Sequence, residues 1–241
     1  MKLYNRRNEQ LADAAERSAV IADWMGAVPY PKEALNDAWK RFLWHQFHDD
    51  LTGTSIWEAY TYSWNDEFLA QGQFCDVILA SAGAAASVMD TRAKGSPVLV
   101  YNPAAYSRRS LVEATVDLPA EAEGVAVYAP DGKTVPAQIV ARDGARATVL
   151  FAAAMEPVSY AVYDVRAGKA GKGKVLRASG NTLENRVYKV TLDANGDIAS
   201  VIDKRNGRDL VEKGRAFRLA VLTPNVSNRY PAWEIHKATL D

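Results

Sequence analysis

The chain has 241 residues, 48% hydrophobic and 24% charged, with 29 basic side chains set against 29 acidic ones. That length can bury the core of one large domain or of two to three small ones. The even charge balance, without a long basic run, gives no case for a nucleic-acid surface. Cys75 is the single cysteine, so no internal disulfide can form. No apolar run approaches the roughly 20 residues of a membrane span.

Three amphipathic helical patterns come first. The opening "MKLYNRRNEQLADAAERS" is charged and helical in pattern, unlike a secretory signal. In this first helix Leu11, Ala14, Ser18, Ile21 and Met25 recur at helical spacing. Gly26 and the following "VPYP" are expected to stop it. A second helix starts near Pro31 and lines one side with Leu35, Ala38, Trp39, Phe42 and Phe47. A third is expected from Ser55, where Ser55 and Glu58 have capping-box spacing. Its stripe reads Ile56, Tyr60, Trp64, Phe68, Cys75, Leu79, Ala82, Ala86 and Met89. Three such helices with short connections predict an antiparallel bundle.

Near Gly95 the pattern changes to short strands between turns. Asp131-Gly132, Asp143-Gly144, Asn195-Gly196 and Asn206-Gly207 are hairpin dipeptides, because these residues tolerate positive φ. The runs "VLVYN", "LVEATVDL", "TVPAQIV", "ATVLFAA", "VSYAVYDV", "RVYKVTL" and "IASVID" read as strands. Regular turn spacing favours antiparallel sandwiches over an α/β fold. "AGKAGKGK", residues 167–174, has a linker composition. The expected class is α+β: a three-helix bundle over 1–94, a small β-sandwich over 95–168, and the start of a larger β-sandwich over 169–241.

One stretch concentrates the chemistry. "LWHQFHDDLTGTSIW", residues 43–57, holds His45 and His48, two of the three histidines, beside Asp49 and Asp50. Imidazole and carboxylate suit zinc, but a stable zinc site needs at least three protein ligands. His236 is the third histidine, and there is no cysteine pair. The competing reading is a pair of histidines near a helix C-terminus, where the helix dipole favours partial positive charge.

The wider segment "WHQFHDDLTGTSIWEAY" resembles the H-H-D-x-x-T-G-T segment of the retaining alpha-mannosidases of glycoside hydrolase family 38. Further stretches resemble the same family in the same order. "YNRRNEQLADAAERSAVIA" is similar to its first bundle helix, and "VLVYNPAAYSRR" to its V-x-N-P strand. "NTLENRVYKVTLDANGDIASVIDKRNGRDL" is similar to its L-E-N to D-K-x-x-G-R stretch, and "AWEI", residues 232–235, to its A-W-D-I.

The resemblance implies that His48 is a ligand of a catalytic zinc and that Asp49 contacts substrate hydroxyls. Phe47 replaces the first histidine of the family's pair, a departure that touches contacts made by that neighbour. Thr52, Gly53 and Thr54 match the turn, with Ser55 opening the next helix. The family's remaining zinc ligands, its nucleophile and its acid/base belong to a barrel that precedes the bundle. No histidine precedes His45 here, so that barrel is expected to be missing and the terminal sandwich to be cut short. The implied function is a piece of a zinc-dependent enzyme that hydrolyses terminal α-mannosidic bonds of mannose-containing glycans. It would have no catalytic residue of its own and would be inactive alone. The alternative is a non-catalytic carbohydrate-binding or interaction module.

Asp50 is expected to face solvent or stabilise the turn, with no catalytic role. His45, about one helical turn before His48, is expected to pack under the site or hydrogen-bond locally. Trp39, Trp57 and Trp64 could stack on sugars, but at helical spacing core packing is the favoured reading. "NVS", residues 225–227, fits a glycosylation acceptor.

Overall fold

The computed structural model describes residues 1–169, 176–218 and 237. His236, "NVS", "AWEI" and residues 170–174 of the linker lie outside the described residues. Helices are followed by antiparallel sheets, the expected α+β class. The chain divides into two compact units. The first holds every described helix and the strands up to residue 167, and the second holds the strands from residue 177 onward.

Four helices open the first unit: α1 (Lys2–Trp24), α2 (Lys32–Trp44), α3 (His48–Thr52) and α4 (Trp57–Val88). α1 stops where expected. Gly26, at φ +68°, donates its N–H to Asp23 O, and Ala27 donates to Ala22 O. This pair of bonds closes a Schellman cap, for which glycine is suited because it has no Cβ. Ala12, Ala15 and Ala19 of α1, Leu35, Ala38 and Phe42 of α2, and Ala70, Phe74 and Val77 of α4 form the bundle core.

The face that α4 buries is not the one its large apolar residues mark. Ser63, Glu67, Ala70, Phe74, Val77, Ser81 and Ala85 are inside, while Ile56, Trp64, Phe68 and Leu79 are exposed. α4 is apolar over much of its circumference, so periodicity alone cannot select a side. Small residues select it, because they let α1 and α4 approach closely. Glu67 is fully buried and accepts from Asn5 Nδ2 at 3.4 Å and from Asn8 Nδ2. α1 likewise turns inward a stripe of Asn5, Asn8, Ala12, Ala15 and Ala19, whereas Met25 is exposed. The capping box at Ser55 does not form: Ile56 is the N-cap residue, and the Ser55 hydroxyl is used elsewhere. Phe47 lies beyond α2 and is exposed.

A two-layer β-sandwich completes this unit. Its strands are β1 (Ser96–Asn102), β2 (Arg108–Asp117), β3 (Val125–Tyr128), β4 (Thr134–Val135), β5 (Ala137–Asp143), β6 (Arg146–Met155) and β7 (Ser159–Ala167). One sheet runs β1-β7-β3-β4 and the other β2-β6-β5, all antiparallel. Val127, Val149, Phe151, Tyr163 and Val165 fill the space between them. "TVPAQIV" is not one strand. It breaks at Pro136, which has no N–H for a ladder, and β4 and β5 join different sheets.

The bundle and sandwich meet through Tyr101 and Tyr160, stacked at 4.8 Å. The Tyr101 hydroxyl donates to Ala14 O at 3.1 Å, and the Ser18 and Tyr160 hydroxyls lie 2.6 Å apart. The second unit is a five-stranded antiparallel sheet of β8 (Arg177–Ser179), β9 (Thr182–Glu184), β10 (Tyr188–Leu192), β11 (Ile198–Asp203) and β12 (Arg208–Asp209). Glycine at positive φ occupies all four expected hairpin turns: Gly132, Gly144, Gly196 and Gly207. Among the described residues no helix is long and apolar enough to cross a membrane.

Candidate functional site

The stretch between α2 and α4 forms α3, a five-residue helix that the turn reading did not anticipate. Phe47 is its N-cap residue, and Gly53, at φ +95°, ends it in the left-handed region. The chain beyond folds back on the carbonyl of Asp49, which accepts from the amides of Thr54 and Ser55 at 3.0 Å each. The Tyr60 hydroxyl donates to the same carbonyl at 3.1 Å and accepts the Ser55 amide. Three donors on one carbonyl, two of them backbone amides, fix the loop and leave the neighbouring side chains for other uses.

His48 projects outward. Its side chain is 78% exposed, and its ring lies against Phe47 with centroids 4.3 Å apart. Its Nε2 stands 3.5 Å from Oδ2 of Asp49, whose side chain is 45% exposed. Asp49 Oδ1 accepts from the Thr54 hydroxyl at 2.8 Å, which fixes the carboxylate while one oxygen faces the imidazole. Trp44, Phe47, Ile56 and Trp57 are exposed large apolar residues of the same and adjoining segments.

Behind this surface lies a buried polar group, in which His45 packs under the site and hydrogen-bonds locally, as expected, and Asp50 ties the turn through Ser55. Asp50 does not face solvent: it is 9% exposed and serves as an acceptor hub. His45 Nδ1 is 2.8 Å from its Oδ2, Ser63 donates to the same oxygen at 3.1 Å, and Ser55 donates to Oδ1 at 3.0 Å. Burial pushes the Asp50 carboxyl up, but the hydrogen bonds from His45, Ser55 and Ser63 outweigh it and hold it below the usual carboxylate value. His45 is 3% exposed, and its Nε2 is 3.3 Å from Asp66 Oδ2. Asp66 also accepts from Arg41 at 2.9 Å. His45, Asp50, Ser63 and Asp66 line an open cavity of about 510 Å3, together with the aromatic Trp44, Phe47 and Tyr62. The available signal was the spacing of Asp50, Ser55 and Ser63, which brings two hydroxyls to one carboxylate only once α4 is placed.

The three tryptophans divide. Trp39 is partly buried, packs against Phe42 and Phe74, and donates its indole N–H to Glu16 at 2.8 Å. Trp57 and Trp64 are not core residues. Both are exposed and meet edge to face at 6.1 Å.

The donor chemistry of His48 and Asp49 fits part of a metal site, one imidazole beside one carboxylate. Three or four protein ligands would be needed to complete it. Among the described residues, no group of three or more His, Cys, Asp or Glu side chains is gathered where it could hold a metal ion.

Comparison with known proteins shows what the chain is similar to. Residues 1–82 match the family model of the alpha mannosidase middle domain. The chain is 25% identical to mouse (Mus musculus) alpha-mannosidase 2C1 over 242 aligned residues, covering 98% of this chain and 20% of that protein. Among solved structures, an alpha-mannosidase from Enterococcus faecalis V583 aligns with a TM-score of 0.67 at 22% identity, over 85% of this chain and 28% of the other. A glycosyl hydrolase family 38 protein from Enterococcus faecalis aligns at 0.68 and 22% identity, over 85% and 29%. The structural likenesses establish the fold, and the chain spans about a fifth of the curated relative it matches. Residues 1–82 match an alpha mannosidase middle domain, and the fold of most of the chain is similar to that of part of a glycosyl hydrolase family 38 protein.

Proposed function

We propose that this chain forms one wall of the active site of a retaining, zinc-dependent alpha-mannosidase that cleaves terminal α-mannosidic bonds of mannose-containing glycans. Its parts are the bundle over 1–94, a small β-sandwich over 95–168, and the opening of a larger β region over 169–241. His48 supplies one imidazole ligand to the metal, and Asp49 holds hydroxyls of the mannosyl ring. Zinc, when bound, supplies a positive centre that attracts sugar hydroxyl oxygens. The nucleophile and acid/base of the two-carboxylate scheme lie on a barrel domain outside residues 1–241, so the chain alone does not turn over.

The observation that carries this reading is the exposure of His48 beside Asp49. An imidazole that served only packing would be buried and hydrogen-bonded, as His45 is. The exposed aromatic side chains around α3 and the first turns of α4 support the same reading, because a surface of this kind suits another domain or a sugar better than water. The exposure of His48 counts against a module in which this segment is merely structural.

The test is an aryl α-mannoside incubated with the purified chain and added zinc. No release of the aryl group is expected. Turnover that disappears in His48→Ala would overturn the assignment of nucleophile and acid/base to another segment.

A further inference from the structure

We infer that His45 is a positioning residue that sets the direction of His48 and Asp49 through Asp50, an inference that rests on the function proposed above. The argument begins with the size of α3. Isolated helices shorter than about 12–15 residues are marginal in water, and α3 has five residues. Something outside the helix must hold its orientation. Its C-terminal turn is held by the three donors to the Asp49 carbonyl. Its rotation about its own axis is held by Asp50, the one buried residue of the helix.

At 3.6 residues per turn, Asp50 and His48 point roughly 200° apart around the axis. Turning Asp50 inward therefore turns His48 outward. The inward pull comes from groups on three other segments: His45 at the end of α2, Ser55 in the connection, and Ser63 on α4. The two serine hydroxyls are neutral donors. His45 is the donor that is itself fixed from its far side by Asp66, which Arg41 holds in turn. The chain of contacts Arg41–Asp66–His45–Asp50 thus links α2 and α4 to α3. Groups that orient a metal ligand without touching the metal typically change affinity or activity by 10–100-fold.

The test uses the full-length enzyme that contains this segment and compares His45→Gln, His48→Ala and a core control, Phe74→Leu. Three quantities are read below the melting temperature: zinc affinity, kcat and KM for an aryl α-mannoside, and amide hydrogen exchange of the peptide spanning residues 47–56. His45→Gln should weaken zinc binding by about 10–100-fold and accelerate exchange in that peptide. Phe74→Leu, chosen for comparable loss of melting temperature, should do neither. If His45→Gln loses no more zinc affinity than Phe74→Leu and leaves exchange in 47–56 unchanged while His48→Ala is inactive, the positioning role is wrong. If His48→Ala remains active with normal zinc, the underlying site assignment fails and takes this inference with it. If the metal effect is present in His45→Gln and restored when zinc is raised, the positioning role stands.

Discussion

The bundle and the sandwich of the first unit close their cores by different rules. Between the two sheets the inward positions are Val127, Val149, Phe151, Tyr163 and Val165, and the outward positions alternate with them. The one polar atom that Tyr163 carries inside is paired, its hydroxyl donating to Ala154 O at 2.8 Å and accepting from Ala154 N at 2.9 Å. In the bundle the α1–α4 seam is rich in alanines and serines and holds Asn5, Asn8 and the buried carboxylate of Glu67, while Trp57, Phe68 and Leu79 stand outside. Hydrophobicity selects the sandwich interior. Size and hydrogen-bond partners select the bundle interior, which leaves large apolar groups on the surface that the site shares.

That contrast can be broken by substitution. Phe151→Ala in the sandwich and Phe74→Ala in the bundle each empty a site with almost no exposure, and each should cost about 3–5 kcal/mol in denaturant melts. Equal losses would show that the bundle, despite its small residues, depends as heavily on the buried ring of Phe74. Polarity should separate the two regions. Val149→Asn buries an amide among apolar strands and is expected to cost on the order of 2–3 kcal/mol. Glu67→Gln should change stability by less than about 1 kcal/mol, because the new carbonyl oxygen can keep the bond from Asn8 while a flip of Asn5 lets its Oδ1 accept from the new amide. A large loss from Glu67→Gln would mean that the charge, and not the hydrogen-bonding shape, orders the α1–α4 seam.

A pH scan reads a smaller effect. The folded-state pKa of Asp50 is below its ordinary value, so its ionised form stabilises the fold. That contribution is complete above the unfolded carboxylate pKa of about 4 and is lost as pH falls through the lower folded value. The gap in melting temperature between the wild type and Asp50→Asn should therefore be constant from neutral pH down to that range and shrink below it. A gap that widens on acidification would contradict the direction of the shift. A purely local effect is expected at Gly132, at φ +80° in the β3–β4 hairpin with open space beside it. There Gly132→Ala should cost about 1 kcal/mol, purely from backbone conformation.

The same contrast explains what could be read from the sequence. Hairpin turns at Gly132, Gly144, Gly196 and Gly207 are local chemistry, and all four were legible. Most long strands were legible from alternation, but the four-residue β3 and the short β8, β9 and β12 carry too few positions for a pattern. The inner face of α4 was not legible. Glu67 becomes an interior residue only through Asn5 and Asn8, some sixty positions away, and no local rule places a carboxylate inside. At the site, the resemblance singles out His48 and Asp49, which stand side by side on α3. Asp50 was read as a turn residue or a solvent-facing one because its partners His45 and Ser63 lie on different helices.

The central claim is that His48 acts on chemistry and not on folding. Its most direct test is His48→Ala in the full-length enzyme, with mannosidase rate, bound zinc and melting temperature measured on one preparation. An exposed side chain that leaves no cavity should change stability by no more than about 0.5 kcal/mol, so melting should hold while rate and zinc content fall together. Full activity with normal zinc content would contradict the account.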